Sequence, residues 1–222
     1  MPKVSSEYFD NKRKMIVEAA YQVCLRKPAE VVTISDVIAE TGMSQGAIYR
    51  YYDGLDSILA DMVTKMRQEY SFIEDMDKII KDKVISFEEK TYSVCNLLAE
   101  HMETHLMDIQ KINFDLGVLV INEPERGEKI MSQIKGDGNM DYLSKVVFPN
   151  MVMDALNKGY KPKDSIENIC TYLSSSYTGI EKLCILGACY GDKKSELSVK
   201  PSQLFNTLAQ TTILLLGGKV NE

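Results

Sequence analysis

Two stretches of this chain gather residue types that can do chemistry. The first is Ser44-Gln45-Gly46-Ala47-Ile48-Tyr49-Arg50-Tyr51-Tyr52. Wound as a helix, it fits the major groove of DNA, with its N-terminal residues meeting base edges first. Ser44 caps such a helix and offers its hydroxyl to a phosphate. Gln45 carries a donor and an acceptor on one amide, the pair needed to read adenine. Gly46 and Ala47 let the backbone come close, and Ala47 suits a thymine methyl. Tyr49 presents a phenol to phosphate, and Arg50 a guanidinium to phosphate or guanine. Ile48 and Tyr52 fall on the inward side. The second stretch is His101-Met-Glu-Thr-His105, which holds both histidines of the chain four residues apart. That spacing suits a metal ion. Glu103, however, stands at the wrong offset for an HExxH motif, and no third ligand follows at a recognisable spacing. We expect no metal, no cofactor and no catalytic residue.

The elements that must position these residues read as helices throughout. Apolar residues recur every three to four positions and strand signals are scarce, so the fold class is all-α. The first helix spans about Ser6 to Arg26, with Ile16, Ala19, Ala20, Val23 and Cys24 inward, and Lys27-Pro28 stops it. Thr33, with Asp36 three residues on, opens a second helix in a pattern close to a capping box. Gly42 closes it in the left-handed C-cap, and Ser44 opens the third. A helix, a short turn around Gly42 and a helix make the spacing of a helix-turn-helix. A fourth helix begins near Leu55 and is read as a connector to residue 80, with a charged, apolar-poor boundary from Asp75 to Lys83. About five more helices follow: Phe87 to Met107, Asp108 to Ile121, one opened at Asn122-Glu123-Pro124, Met140 to Lys158 closed by Gly159, and Asp164 or Ser165 to about Cys189. Pro201 opens the last, which ends at Gly217-Gly218.

Residues 10–60 resemble the N-terminal domain of the TetR family of bacterial transcriptional regulators. The resemblance rests on Thr33-Ile-Ser-Asp-Val-Ile-Ala39, Thr41-Gly-Met-Ser44, Gly46-Ala-Ile-Tyr49-Arg-Tyr-Tyr52 and Leu55 to Leu59. It implies a helix-turn-helix domain over residues 1–54 and a helical ligand-binding and dimerisation domain over residues 55–222. It also implies that Thr33, Ser44, Tyr49 and Tyr51 contact or flank phosphates, while Gln45, Gly46, Ala47 and Arg50 face bases. One position departs. The family usually carries a phosphate-binding lysine at the start of the fourth helix, where this chain has Leu55. Lys12, Arg13 and Lys14 would then carry more of the phosphate contact. The family pairs its last two helices with those of a second copy. Two stripes suit that role: Ile166, Ile169, Cys170, Leu173, Tyr177, Ile180 and Cys184, then Leu204, Leu208, Thr211, Leu215 and Leu216. They equally suit packing within one chain. Two half-sites one helical turn apart need two reading helices, which favours a homodimer on a palindromic double-stranded operator.

Charge and composition agree with this reading. The chain carries a net charge of −6, yet residues 1–53 hold seven Lys/Arg and seven Asp/Glu, so the reading head is neutral on an acidic body. Five dispersed cysteines with no CxxC pair read as reduced thiols. No apolar run approaches the roughly 20 residues that span a bilayer, and the N-terminus lacks the apolar core of a signal peptide. A cytoplasmic location away from membranes is expected. The segment between residues 87 and 160 is rich in Met, Tyr and Phe. Tyr92, His101, His105, Phe114, Tyr142, Phe148, Met151 and Tyr177 are the candidate wall of a pocket for a hydrophobic or aromatic effector. The expected function is a sequence-specific DNA-binding transcriptional regulator, a repressor released by a small molecule, and not an enzyme. The readings weighed against it are a helical metal-dependent enzyme using His101 and His105, and a helical adaptor that binds protein.

Overall fold

Local capping sets the order of the elements. In this computed structural model, which describes residues 6–190 and 200–220, the described residues form helices and no strand. Helix α1, Ser6–Arg26, buries Ile16, Val17, Ala19, Ala20, Val23 and Cys24 on one stripe. After Pro28 a single 3-10 turn, Ala29–Val31, leads to α2, Ile34–Thr41. The expected capping box is present: the Asp36 amide donates to Thr33 Oγ1 at 3.2 Å, and the Thr33 amide donates to Asp36 Oδ2 at 2.9 Å. Gly42 closes α2 with φ 67°, a left-handed conformation that costs glycine nothing. Ser44 then caps α3, Gln45–Ile48, by accepting the Ala47 amide at 3.3 Å. Helix α4 runs over Leu55–Glu69 and buries Ile58, Leu59, Met62, Val63 and Met66.

The chain forms two compact units, each discontinuous in sequence. The first takes the residues up to Tyr70 and adds Lys111–Gly136, which form α7, Lys111–Asn122, and α8, Pro124–Met131. Helix α7 meets α1 and the 3-10 turn: Lys111 Nζ donates to the Cys24 carbonyl at 3.3 Å, and Asn122 Nδ2 to Glu30 Oε1 at 3.0 Å. Helix α8 lies on α4. Arg126 and Lys129 reach Asp56 at 2.9 and 3.1 Å, and the Lys135 amide donates to Thr64 Oγ1 at 3.0 Å. Gly127 lets α8 cross α7 closely, since a Cβ there would stand 2.9 Å from Val120 Cα. These compact units are not divided at residue 54: α4, α7 and α8 fall in the same unit as α1, α2 and α3.

The second unit holds α5, Ile73–Lys81; α6, Phe87–Thr104; α9, Asn139–Tyr142; α10, Phe148–Asn157; α11, Ile166–Tyr190; and α12, Pro201–Leu215. Its core includes Met76, Phe87, Leu98, Met102, Phe148 and Phe205, each almost fully buried. Burying one such side chain stabilises a fold by roughly 1.5–3 kcal/mol. Lys90 is also buried, and its ammonium is satisfied by the Ile80 carbonyl at 3.1 Å and Asp154 at 3.3 Å.

Four expectations change. The fourth helix does not continue to residue 80. It ends at Glu69, and Asp75–Lys83 lies largely in a separate helix, α5, whose Met76 is in the core. At the break side chains take the backbone amides, one nearby and one distant in sequence: Ser71 Oγ accepts the Ile73 amide, and Asn139 Oδ1 accepts the Phe72 amide. The helix from Phe87 ends at Thr104 rather than Met107, and a π-helical turn, Leu106–Gln110, opens the next one, with the Gln110 amide bonded to the His105 carbonyl at 3.0 Å. At α8 the cap position is Glu123, with no side-chain cap bond, because its carboxylate pairs with Arg126 at 3.1 Å. Half of the α11 and α12 stripe residues, namely Ile169, Leu173, Tyr177, Cys184, Leu208 and Leu216, are buried within this chain. The outward face instead shows Ile166, Tyr172, Leu183 and Leu186 of α11 and Leu214 of α12.

Candidate nucleic-acid interface

The reading helix is short. Its α-helical bonding covers Gln45–Ile48, and tighter turns carry the chain on to Tyr51, with the Tyr51 amide on the Ile48 carbonyl at 2.9 Å. Ile48 is fully buried and Tyr52 nearly so, which fixes the roll of the segment. The opposite side is free of packing: Ser44, Gln45, Gly46, Tyr49 and Arg50 are exposed, and Ala47 and Tyr51 are part-exposed. Nothing stands within 4 Å of a Cβ placed on Gly46, so the backbone there is open to a close approach. Thr33 is exposed as well, though its hydroxyl already donates to Asp36 at 2.8 Å.

A polar cluster, unforeseen from the sequence, seats the end of this segment. Arg13 of α1 pairs with Asp61 of α4 at 2.8 Å, donates to the Tyr51 carbonyl at 3.3 Å, and lies 4.4 Å from the Tyr52 ring. The Tyr52 hydroxyl donates to the same Asp61 oxygen at 2.6 Å. Burial acts to raise the Asp61 carboxyl, but Tyr52 and Arg13 outweigh it and hold the group below its ordinary range. Arg13 is therefore a brace for the reading segment, and Lys12 and Lys14 remain as the basic groups of this part of α1. At α2, Lys27, the Thr33 amide and the Thr33 hydroxyl hold Asp36 down at about 2.

The residues singled out for an effector are divided between the units. Phe148, Met151 and Tyr177 are buried in the core of the second unit, and Tyr92 and Tyr142 pack against it. His101 meets His105 with ring centroids 5.1 Å apart and stands edge-on to Phe72 at 4.9 Å. Its Nε2 is buried and has no hydrogen-bond partner. Phe114 lies in α7, in the first unit. Among the described residues no group of three His, Cys, Asp or Glu is placed to hold a metal ion, although Asp108 reaches His105 at 3.3 Å. A groove of about 410 Å³ lies between α11 and α12, lined by residues including Lys163, Asn168, Tyr172 and Leu214. It contains none of the expected wall residues. Among the described residues no helix is long and apolar enough to cross a membrane.

Comparison with known proteins agrees with this geometry. Residues 16–62 match the family described as bacterial regulatory proteins, tetR family. A stretch of 62 residues, 28% of this chain, is 36% identical to YfiR of Bacillus subtilis, an uncharacterized HTH-type transcriptional regulator, and spans 30% of that protein's length. A structure from Mesorhizobium loti assigned to TetR-family transcriptional regulators shares 11% identity over 94% of this chain and 98% of that one, with a TM-score of 0.65. A tetR-family regulatory protein from Rhodococcus RHA1 shares 17% identity over 94% and 98%, with a TM-score of 0.60. At such identities the likeness is one of fold.

Proposed function

The chain belongs, through residues 16–62, to the tetR family of bacterial regulatory proteins, and from this we propose that it is a sequence-specific DNA-binding transcriptional regulator. The observation that carries the proposal is the exposed face Ser44-Gln45-Gly46-Ala47 on a segment rolled into place by buried Ile48 and Tyr52. Gln45 and Ala47, with Arg50, would read bases; Ser44, Tyr49, Tyr51 and Thr33 would touch or flank phosphates. The protein would work as a homodimer in the cytoplasm, as a repressor and not as an enzyme. The outward apolar residues Tyr172, Leu183, Leu186 and Leu214 support pairing through α11 and α12.

A small apolar or aromatic effector would bind the second unit among Tyr92, His101, His105, Tyr142, Phe148, Met151 and Tyr177. Two groups not foreseen from the sequence support it with polar atoms: the buried amide of Gln110, and Glu181, whose carboxyl burial pushes up to about 7. Effector binding would change the separation of the two reading helices and release the operator. Gel shifts on the DNA upstream of its own gene test the proposal. Wild type should bind at low salt, and Gln45→Ala should weaken binding by about 1–3 kcal/mol and relax base preference at one position per half-site. No binding by the wild-type protein would overturn it.

A further inference from the structure

Helix α11 carries an acid within its core-facing stripe. Tyr177, Cys184 and Ile185 are buried on the inward side of this helix. Glu181 stands four residues after Tyr177 and three before Cys184, so it belongs to the same side. It is half-buried. Among the described residues no hydrogen bond or ion pair reaches its carboxylate, and the cation acting on it is Lys182, the exposed residue beside it. Burial pushes the carboxyl up to about 7 against the pull of Lys182. An acid so placed is ordinarily paired, because a desolvated carboxylate without a counter-charge is costly.

The buried side chains near it are polar or aromatic. The Tyr177 hydroxyl feels the Glu181 charge, and the Gln110 side chain lies within hydrogen-bonding reach of that hydroxyl. Gln110 is 3% exposed and Tyr177 6%. The Phe205 ring stands 6.0 Å from the Tyr177 ring. Gln110 belongs to the π-helical turn Leu106–Gln110, which packs on α11 and is an irregularity of the kind that gathers at functional sites. The next charge along the stripe is again acidic, since Glu103 acts on the Cys184 thiol. These groups set what a molecule seated here must bring. A neutral apolar ligand over Glu181 would strip its water and return nothing, and an anion would be repelled. A cation supplies the absent counter-charge, and aromatic rings favour it further. We infer that the effector is an apolar or aromatic cation, and that Glu181 is the carboxylate that pairs with it. The inference rests on the effector reading given above and adds the charge of the molecule.

The test uses the full chain, isothermal titration calorimetry and two probes of matching shape and opposite charge, tetraphenylphosphonium and tetraphenylborate. Triphenylmethanol, neutral and of similar bulk, completes the set. Wild type should bind the phosphonium about tenfold or more tightly than the borate or the carbinol. Glu181→Gln keeps the size of the side chain and removes its charge. It should weaken the phosphonium about tenfold and leave the carbinol unchanged, which also shows that the site is still formed. Because an unpaired acid is removed, the thermal midpoint should hold or rise. Equal affinity for the three probes, or tighter binding of the borate or the carbinol, would overturn the charge assignment and leave the effector site standing. A Glu181→Gln variant that binds the phosphonium as wild type does would overturn it as well. If none of the three probes binds wild type, both readings fall.

Discussion

At the residue scale, Tyr52 and His101 show how a few buried polar atoms decide behaviour. The Tyr52 hydroxyl spends its proton on the Asp61 carboxylate inside a nearly closed site. Tyr52→Phe keeps the ring and leaves that oxygen one partner short, so urea unfolding should show a loss of about 1–2 kcal/mol. His101 gives a pH signature. Burial, and then the neighbouring His105, lower its pKa from the ordinary 6.5 to about 4, and Asp108 opposes them. Between those values the unfolded chain binds a proton that the folded chain does not. Stability should therefore fall as pH drops from 6.5 to 4 and stop responding to this group below 4. His101→Phe should flatten that part of a stability–pH curve; an unchanged curve would remove His101 as the cause.

At the element scale, what could be read from the sequence was what lies within a few residues. The Thr33–Asp36 box, the left-handed Gly42 and the Ser44 cap are all bonds of short reach, and each was legible from residue type and spacing. The stop of α4 at Glu69 was not. It depends on Asn139, 67 residues from the Phe72 amide that it accepts. The brace at Arg13 was hidden for the same reason: its carboxylate partner is 48 residues away, and a basic residue near a DNA motif reads first as a phosphate contact. Which side of α11 faces inward also needs the neighbouring helices, because Ile166 and Ile169 both belong to an apolar stripe and only the second is buried. The α7–α8 crossing offers a direct check. Gly127→Ala would force a methyl against Val120, and chemical unfolding should register a cost of about 1–3 kcal/mol. No loss would mean that α8 has room to shift.

At the scale of the whole molecule, the proposed pairing through the outward face of α11 has a direct test. Leu183 and Leu186 are both exposed and three residues apart on that helix. Replacing both with Glu should leave the chain folded by circular dichroism and convert a dimer to a monomer in analytical ultracentrifugation. Operator affinity should fall with it, since a monomer meets one half-site. A double variant that still sediments as wild type would move the pairing surface elsewhere.

The joining of residues up to Tyr70 with Lys111–Gly136 in one unit also bears on how the protein is made. A ribosome completes the reading motif at Tyr52, but must add about eighty residues before α7 and α8 are both available to pack on α1 and α4. At roughly 5–20 residues per second, that interval is on the order of ten seconds. Throughout it, the nascent chain carries the apolar face of α1, joined by that of α4 once Glu69 is made, and their cover has not been translated. The period of greatest risk of misfolding thus falls between the synthesis of the motif and the synthesis of its support.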